Sequence, residues 1–447
     1  MKLLKNPLVI GTLILTVTGL ISRIIGFFYR IFISHAFGEE GMGIFQLIAP
    51  VMAFAFSLCC AGIQTSISKY VASETSTHDY KSSARILFIS FCLTISLSVL
   101  VSILVYIYSP FISTNLLLEK RTAPLLRILA LSFPFSAIHC CINGYFYGIK
   151  NAKIPAILQL TEQIFRVGSV YIIYYYFISH NMNPTISLAV IGLVIGELSS
   201  MIISLCFIFT RFYKLETKNL LRKNIPGSTL SSRTWLQRIV LLAAPLSANR
   251  IIVNLLQSVE AVYIPNKLQT YGLSNSDALS VYGVLTGMAL SLILFPSTIT
   301  NSVSVLLLPV VSEAEENNNR RTIAVAIRKS ITYCSILGLF FTLVFLFFGK
   351  IAGEVLFNST MAGKFIVGLS FICPFLYITT TLSSILHGLG KTFLTFIINV
   401  GSISIRIACI FILIPLIGIN GYLIGLLLSQ LFSTIFCMIC LRKYRMY

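Results

Sequence analysis

The sequence predicts an all-α integral membrane protein of about twelve transmembrane helices, arranged as two parallel six-helix lobes forming a central cavity. Three observations predict this. Of the 447 residues, 56% are hydrophobic and only 11% are charged, with a mean hydropathy of +0.90, whereas a soluble domain carries about 25% charged residues. The apolar residues gather into runs long enough to cross a bilayer, which takes roughly 20 residues. Matching landmarks recur about 240 residues apart in the two halves of the chain.

Apolar runs bounded by charges or turn residues place the first six helices over 8–34, 44–70, 84–109, 123–147, 153–179 and 185–210. The second six fall over 236–264, 279–310, 323–349, 364–387, 391–415 and 418–440. The opening run imitates a secretory signal, but it is too long, contains Arg23 and lacks a small-residue cleavage site, so it is expected to be retained. The turn GEEGMG (38–43) joins the first two helices closely, and no GKS or GKT follows to make it a phosphate loop. Prolines at 50, 134, 155, 245, 296, 309 and 374 interrupt or bound spans and can hinge them.

Between alternate helices the basic residues divide 22 to 5, a bias that puts both termini in the cytoplasm and supports an even helix count. The net charge of +19 therefore reflects membrane orientation, and no nucleic-acid motif accompanies it. The polar stretch 211–238 holds seven basic residues and one acid. It reads as a cytoplasmic linker, 213–235, that touches anionic lipid headgroups between lobes 1–212 and 236–447.

The repeat supports that division. Gly148 precedes Arg166 by eighteen residues, and Gly388 precedes Arg406 by the same number, at an offset of 240; Glu74 and Glu313 close similar segments at an offset of 239. Arg23 in SRII and Arg250 in NRII match locally at an offset of 227. A six-helix unit has its two ends on one side, so both copies share one orientation about an axis along the membrane normal, a transporter plan.

Charges inside the spans point to function. Arg23, Glu162, Arg166, Glu197, Arg250 and Arg406 fall near mid-depth, Glu260 lies further out, and Arg30 stands two turns beyond Arg23. Such residues face a bundle interior or a wet cavity. Glu162 and Arg166 are spaced i, i+4, the favourable order for an intrahelical pair. A planar guanidinium bonds two phosphate oxygens at once, so Arg23, Arg30, Arg166, Arg250 and Arg406 are candidates to bind an anionic, phosphorylated headgroup. Glu162, Glu197 and Glu260 are candidates for ion coupling.

Nothing argues for catalysis, a cofactor or a metal. Eleven cysteines lie within apolar segments, and Cys437 with Cys440 forms a lone CxxC. The histidines at 35, 78, 139, 180 and 387 are scattered without HExxH spacing. The outer-loop acids Glu39, Glu40, Glu119, Asp277 and Glu354 form no paired motif, and no serine-triad or nucleotide signature is present.

The stretches GTLILTVTGLISRIIGFFYRIFISHAFGEEGMGIFQLIAPV (11–51) and AGIQTSISKYVASE (61–74) resemble the stage V sporulation protein B group. That group sits in the polysaccharide-transporter branch of the multidrug/oligosaccharidyl-lipid/polysaccharide exporter superfamily. NGYFYGIKNAKIP (143–155), SVLLLPVVSEAE (304–315) and ILHGLGKTF (385–393) extend the likeness. The resemblance implies twelve or fourteen helices in two lobes, and flipping of lipid-linked glycans tied to cell-envelope and spore peptidoglycan. It also suggests a cavity role for Arg23, Arg30 and Arg250. The chain departs from the group at Gln64, where proline is usual, and in ending after the twelfth helix.

Three readings follow. The first is a flippase for an undecaprenyl-pyrophosphate-linked glycan in the bacterial plasma membrane. The second is a cation-coupled multidrug exporter, and the third a non-transporting scaffold for cell-envelope synthesis proteins.

Overall fold

A computed structural model describes residues 7–217 and 230–445. Most of the 213–235 linker, 218–229, lies outside the described residues, as do Lys2 and Lys5. Helix follows helix, and no strand occurs among the described residues. The chain runs α1 (Pro7–Phe56), a π-helical turn (Ser57–Ala61), α2 (Gly62–Ser76), α3 (Tyr80–Ile107), α4 (Ser109–Phe111), a second π turn (Ile112–Leu116), α5 (Thr122–Ala130), α6 (Ser132–Gly148), α7 (Lys153–Ser179) and α8 (Ser187–Thr217). It continues with α9 (Ser232–Tyr271), α10 (Asn275–Gly283), a third π turn (Val284–Ala289), α11 (Leu290–Leu294), α12 (Ser297–Glu316), α13 (Arg320–Phe357) and α14 (Thr360–Leu369). A 3-10 turn (Ser370–Ile372), α15 (Cys373–Gly388), α16 (Thr392–Ile412), α17 (Ile414–Ile417) and α18 (Ile419–Arg445) complete it.

A straight helix of the 50 residues in α1 would be about 75 Å long, more than twice the roughly 30 Å hydrocarbon core. The helix breaks at Gly38, with φ 71° and ψ −177°, a backbone state that costs glycine little and other residues much. Among the described residues nine helical stretches are long and apolar enough to span a membrane, or ten when bent α5 and α6 count as one. One of the nine, Leu13–Ser76, is 64 residues long and holds two spans on either side of Gly38. Helix α7 falls outside that set because Glu162, Gln163, Arg166 and its tyrosines lower its hydropathy. Splitting the first and admitting the second accounts for the twelve segments expected from the sequence.

The chain groups into two compact units. Unit 1 comprises Met1–Ile25 with Ile48–Leu255, and unit 2 comprises Gly26–Leu47 with Leu256–Tyr447. These units and the sequence halves share residues 7–25, 48–212 and 256–447 and part company at the long helices α1 and α9, each of which contributes to both units.

In unit 1 the core collects Ile67 and Val71 of α2, Ile86 and Leu87 of α3, Ile142 and Phe146 of α6, and Trp235 of α9. The Trp235 ring meets Tyr70 edge-on at 5.7 Å, and the Arg238 guanidinium lies 5.5 Å from its centre. The outer faces of α3 in unit 1 and α13 in unit 2 instead expose Leu100, Ile103 and Ile107, or Ile336, Leu343 and Phe347. An apolar helix with an apolar exposed face suits lipid.

Each unit builds the same local devices from different residues. In unit 1, Asp79 Oδ1 accepts the Ser82 N–H at 2.9 Å and starts α3; in unit 2, Asn319 Oδ1 accepts the Thr322 N–H at 3.1 Å and starts α13. The residue before each cap, His78 or Asn318, is left-handed with φ 61° or 51°. Cys141 Sγ of α6 lies 3.3 Å from Thr94 Oγ1 of α3, while Cys334 Sγ of α13 lies 3.4 Å from Thr381 Oγ1 of α15. The two residue types have changed places, yet each stands 240 positions from its counterpart. Gly148 packs against Val71, and Gly388 packs against Val311 at the same offset.

A Cβ on Gly148 would come within 2.8 Å of the Val71 Cβ and 2.9 Å of the Ser68 carbonyl. Gly148→Ala is therefore expected to destabilise the protein by roughly 1–3 kcal/mol. Thermal unfolding in detergent reads this as a lower midpoint, whereas Gly19→Ala, where nothing lies within 4 Å, leaves the midpoint unchanged or raised.

Candidate functional site

The intramembrane charges sort into two closed clusters and a set without acidic partners. In unit 1, Arg166 and Glu162 pair along one face of α7 through Arg166 Nη2 and Glu162 Oε1. This is the contact that i, i+4 spacing favours. Helix α8 approaches because it carries glycine at 196, where a Cβ would stand 3.1 Å from the Arg166 Cβ. That approach brings Glu197 in, and its Oε2 lies 2.6 Å from Nε2 of His139 on α6. All four side chains are nearly buried, from 10% to 17% exposed. On the far side of the imidazole, Asn143 Nδ2 is 3.5 Å from Nδ1. Two buried polar atoms of this cluster, Asn143 Oδ1 and Arg166 Nε, have no hydrogen-bond partner among the described residues.

The cluster opens onto a cavity of about 150 Å³ within unit 1. Glu197 and Ser136 supply its polar wall, and Met52, Phe56, Cys59 and Phe133 supply apolar wall.

In unit 2, Arg406 of α16 reaches Glu260 of α9. Its Nη2 donates to Oε2 at 2.9 Å, and its Nε stands 2.8 Å from Oε1. The Tyr422 hydroxyl of α18 donates to the same carboxylate. Arg166 and Arg406 are thus equivalent by the 240-residue offset, but one takes its acid from its own helix and the other from a distant one.

The remaining arginines differ. Arg30 is half-buried and donates through Nη1 to Ser291 Oγ, both in unit 2. Arg23 and Arg250 both belong to unit 1, are exposed, and have no ion-pair partner among the described residues. One turn after Arg250, Asn254 Nδ2 donates to the Ala53 carbonyl at 3.1 Å and to Ser57 Oγ at 2.6 Å. This anchors the Arg250 turn of α9 where the first π turn begins.

A family model described as polysaccharide biosynthesis protein matches residues 8–315. The chain belongs to that family. Among its relatives, stage V sporulation protein B of Bacillus subtilis (strain 168) is 27% identical over 96% of this chain and 83% of its own length. The lipid II flippase MurJ of the same organism is 19% identical over 99% of this chain and 84% of its own. A solved structure of lipid II flippase MurJ, inward closed, superposes with a TM-score of 0.71 at 16% identity, covering 97% of this chain and 89% of that one. An inward-facing multidrug resistance MATE transporter of the MOP superfamily gives 0.70 at 15% identity, covering 95% and 96%. At that identity the likeness is one of fold. The chain is an all-α, multi-pass membrane protein with the architecture of this superfamily.

In this polysaccharide biosynthesis family member, the sequence had singled out every charged residue of the two clusters. It had not singled out His139, Asn143 or Tyr422. His139 falls 240 residues before Thr379, so the repeat gives no signal, and tyrosine is common in these spans. The expectation of no metal site meets a grouping that spacing did not reveal: single ligand atoms of His139, Glu162 and Glu197 lie within 4.8 Å of one another. Arg166 stands in the same group and holds Glu162, so a divalent ion there would meet a fixed positive charge. Eight of the eleven cysteines, all free thiols, are buried, as small packing residues are.

Removing Arg406 leaves Glu260 buried and without its ion pair. Breaking such a pair from one side costs about 3–5 kcal/mol, so Arg406→Ala is expected to lower the unfolding midpoint sharply. Exposed Arg23→Ala leaves that midpoint within a degree or two, corresponding to about 0.5 kcal/mol or less.

Proposed function

We propose that this chain is a flippase that moves an undecaprenyl-pyrophosphate-linked glycan, an oligosaccharide or a peptidoglycan precursor, across the bacterial cytoplasmic membrane by alternating access. Arg23 and Arg250 hold the pyrophosphate. The observation that carries this reading is the sorting of the arginines. Arg166 and Arg406 are neutralised by carboxylates, while Arg23 and Arg250 are exposed without an ion pair among the described residues. An arginine at mid-span costs at least ~2.5 kcal/mol unless water or a ligand receives it, and its planar fork matches phosphate oxygens.

The relatives support the same class of cargo, since one is named a lipid II flippase and another a stage V sporulation protein. On this reading the protein is a carrier, not an enzyme. The moving parts are the sequence lobes 1–212 and 236–447 about the linker 213–235. Both termini face the cytoplasm, and the partners are the lipid-linked glycan, membrane lipids and cell-envelope synthesis proteins. Arg30, hydrogen-bonded to Ser291, steadies the headgroup secondarily. Arg166 and Arg406, already paired, set the potential around it.

Reconstituted vesicles carrying a pyrophosphate-linked precursor test this. Arg23→Gln and Arg250→Gln are each expected to slow transbilayer movement at least tenfold without changing thermal stability. Unchanged rates overturn the reading, and full cell-envelope activity with both substitutions favours the scaffold instead. Resistance to cationic dyes conferred by the protein, with precursor movement absent, favours the multidrug exporter. Reporter fusions at the two termini are both expected to report the cytoplasmic side, as the 22 to 5 division of basic residues requires.

A further inference from the structure

The two buried clusters differ by one charge. In unit 2, one arginine meets one carboxylate, and Tyr422 completes its hydrogen bonds. In unit 1, Arg166 balances Glu162, and Glu197 is left over with His139 as its partner. With the imidazole neutral, the unit 1 cluster carries a formal charge of minus one. With the imidazolium it carries none. Among side chains, histidine alone changes charge between pH 5 and 8 at its unperturbed value. We infer that unit 1 carries a proton-binding site on the His139–Glu197 pair, and that the Glu260–Arg406 cluster of unit 2 takes up no ion.

The hydrogen bonds say which atom receives the proton. Asn143 Nδ2 faces His139 Nδ1 at 3.5 Å, so in this arrangement Nδ1 accepts and the ring proton sits on Nε2, which donates to Glu197 Oε2 at 2.6 Å. A second proton, delivered by water from the cavity that Glu197 lines, then adds to the Nδ1 lone pair. The new Nδ1–H needs an acceptor, and Asn143 holds one in reserve: its Oδ1 is buried without a partner. Turning the amide over brings that oxygen to Nδ1, since the two ends of an asparagine amide have nearly the same shape. The same three side chains thus serve both charge states.

The other groups facing the pair do not supply an alternative. Helix α7 presents Glu162 and Arg166, which hold each other. The Ser57–Ala61 turn presents Cys60. Helix α5 carries Arg127, which donates to Ser109 Oγ at 3.0 Å. On α2 the charged Lys69 and Glu74 flank Val71, which packs on Gly148, nine residues along α6 from His139. Lys81 and Arg85 stand near the start of α3, thirteen and nine residues before Thr94, which is where α3 meets Cys141 of α6 at 3.3 Å.

Charge state and shape are linked through the cavity. A neutral histidine leaves Glu197 as an unbalanced anion at a wall otherwise mostly apolar, which demands water. A protonated histidine removes that demand. The end of α1 and its π turn also line this cavity, and π turns are frequent at functional sites. The inference rests on the flippase reading only for what the proton drives.

Histidine-labelled full-length protein in detergent, without substrate, gives the test. The chain has five histidines, so the resonance lost in His139→Gln identifies His139. Across the pH range in which the protein stays folded, it is expected to move with pH in sodium-free buffer and in 150 mM NaCl alike (about physiological ionic strength). Asn143→Leu, which removes the reserve acceptor, weakens proton uptake about tenfold while the fold, read by thermal unfolding, is kept. A His139 signal fixed across the range overturns the proposal, as does a titration that sodium or zinc displaces, or one that Asn143→Leu leaves unmoved. Because no glycan is present, failure here leaves the cargo assignment standing, and failure of glycan movement leaves this site standing.

Discussion

Charge inside a bilayer has to be neutralised or hydrated, and this structure is organised by how it meets that requirement. A lone ion at mid-depth costs several kcal/mol, so each of the buried ions constrains the helices around it. Glu260 ties α9 to α16 and α18 through Arg406 and Tyr422. Glu197 ties α8 to α6 through His139. These contacts are polar fasteners between helices. Arg23 and Arg250 are exposed and have no such fastener among the described residues.

The internal repeat shows which parts of a helical unit are constrained and which are free to specialise. Caps, left-handed residues and glycine contacts recur at 240 residues, and even the Cys–Thr contact survives with its partners exchanged. A small thiol and a small hydroxyl fill similar space and both hydrogen-bond, so packing tolerates the exchange. Arg166 and Arg406 also keep their place, but their acids come from different helices. Position is inherited with the fold, and pairing is settled locally. Within the repeat, one unit pairs its arginine with one carboxylate and the other adds a carboxylate partnered by a histidine.

The sequence by itself determined the class of protein, because hydropathy and charge distribution act over whole segments and survive any detail of packing. It determined the twelve helical segments, the break near Gly38 and the charged residues worth attention, since intramembrane ions are rare enough to count. It could read Glu162 with Arg166 as a pair, since both lie on one helix at a spacing that geometry fixes. Only the tertiary structure decided that Arg406 belongs with Glu260, 146 residues away, and that Arg23 and Arg250 stand apart from any such pair among the described residues. It alone brought His139 and Asn143 to Glu197, because their meeting depends on the packing of α6 against α8. Contacts between helices follow from which faces pack together, and no spacing along one chain encodes that.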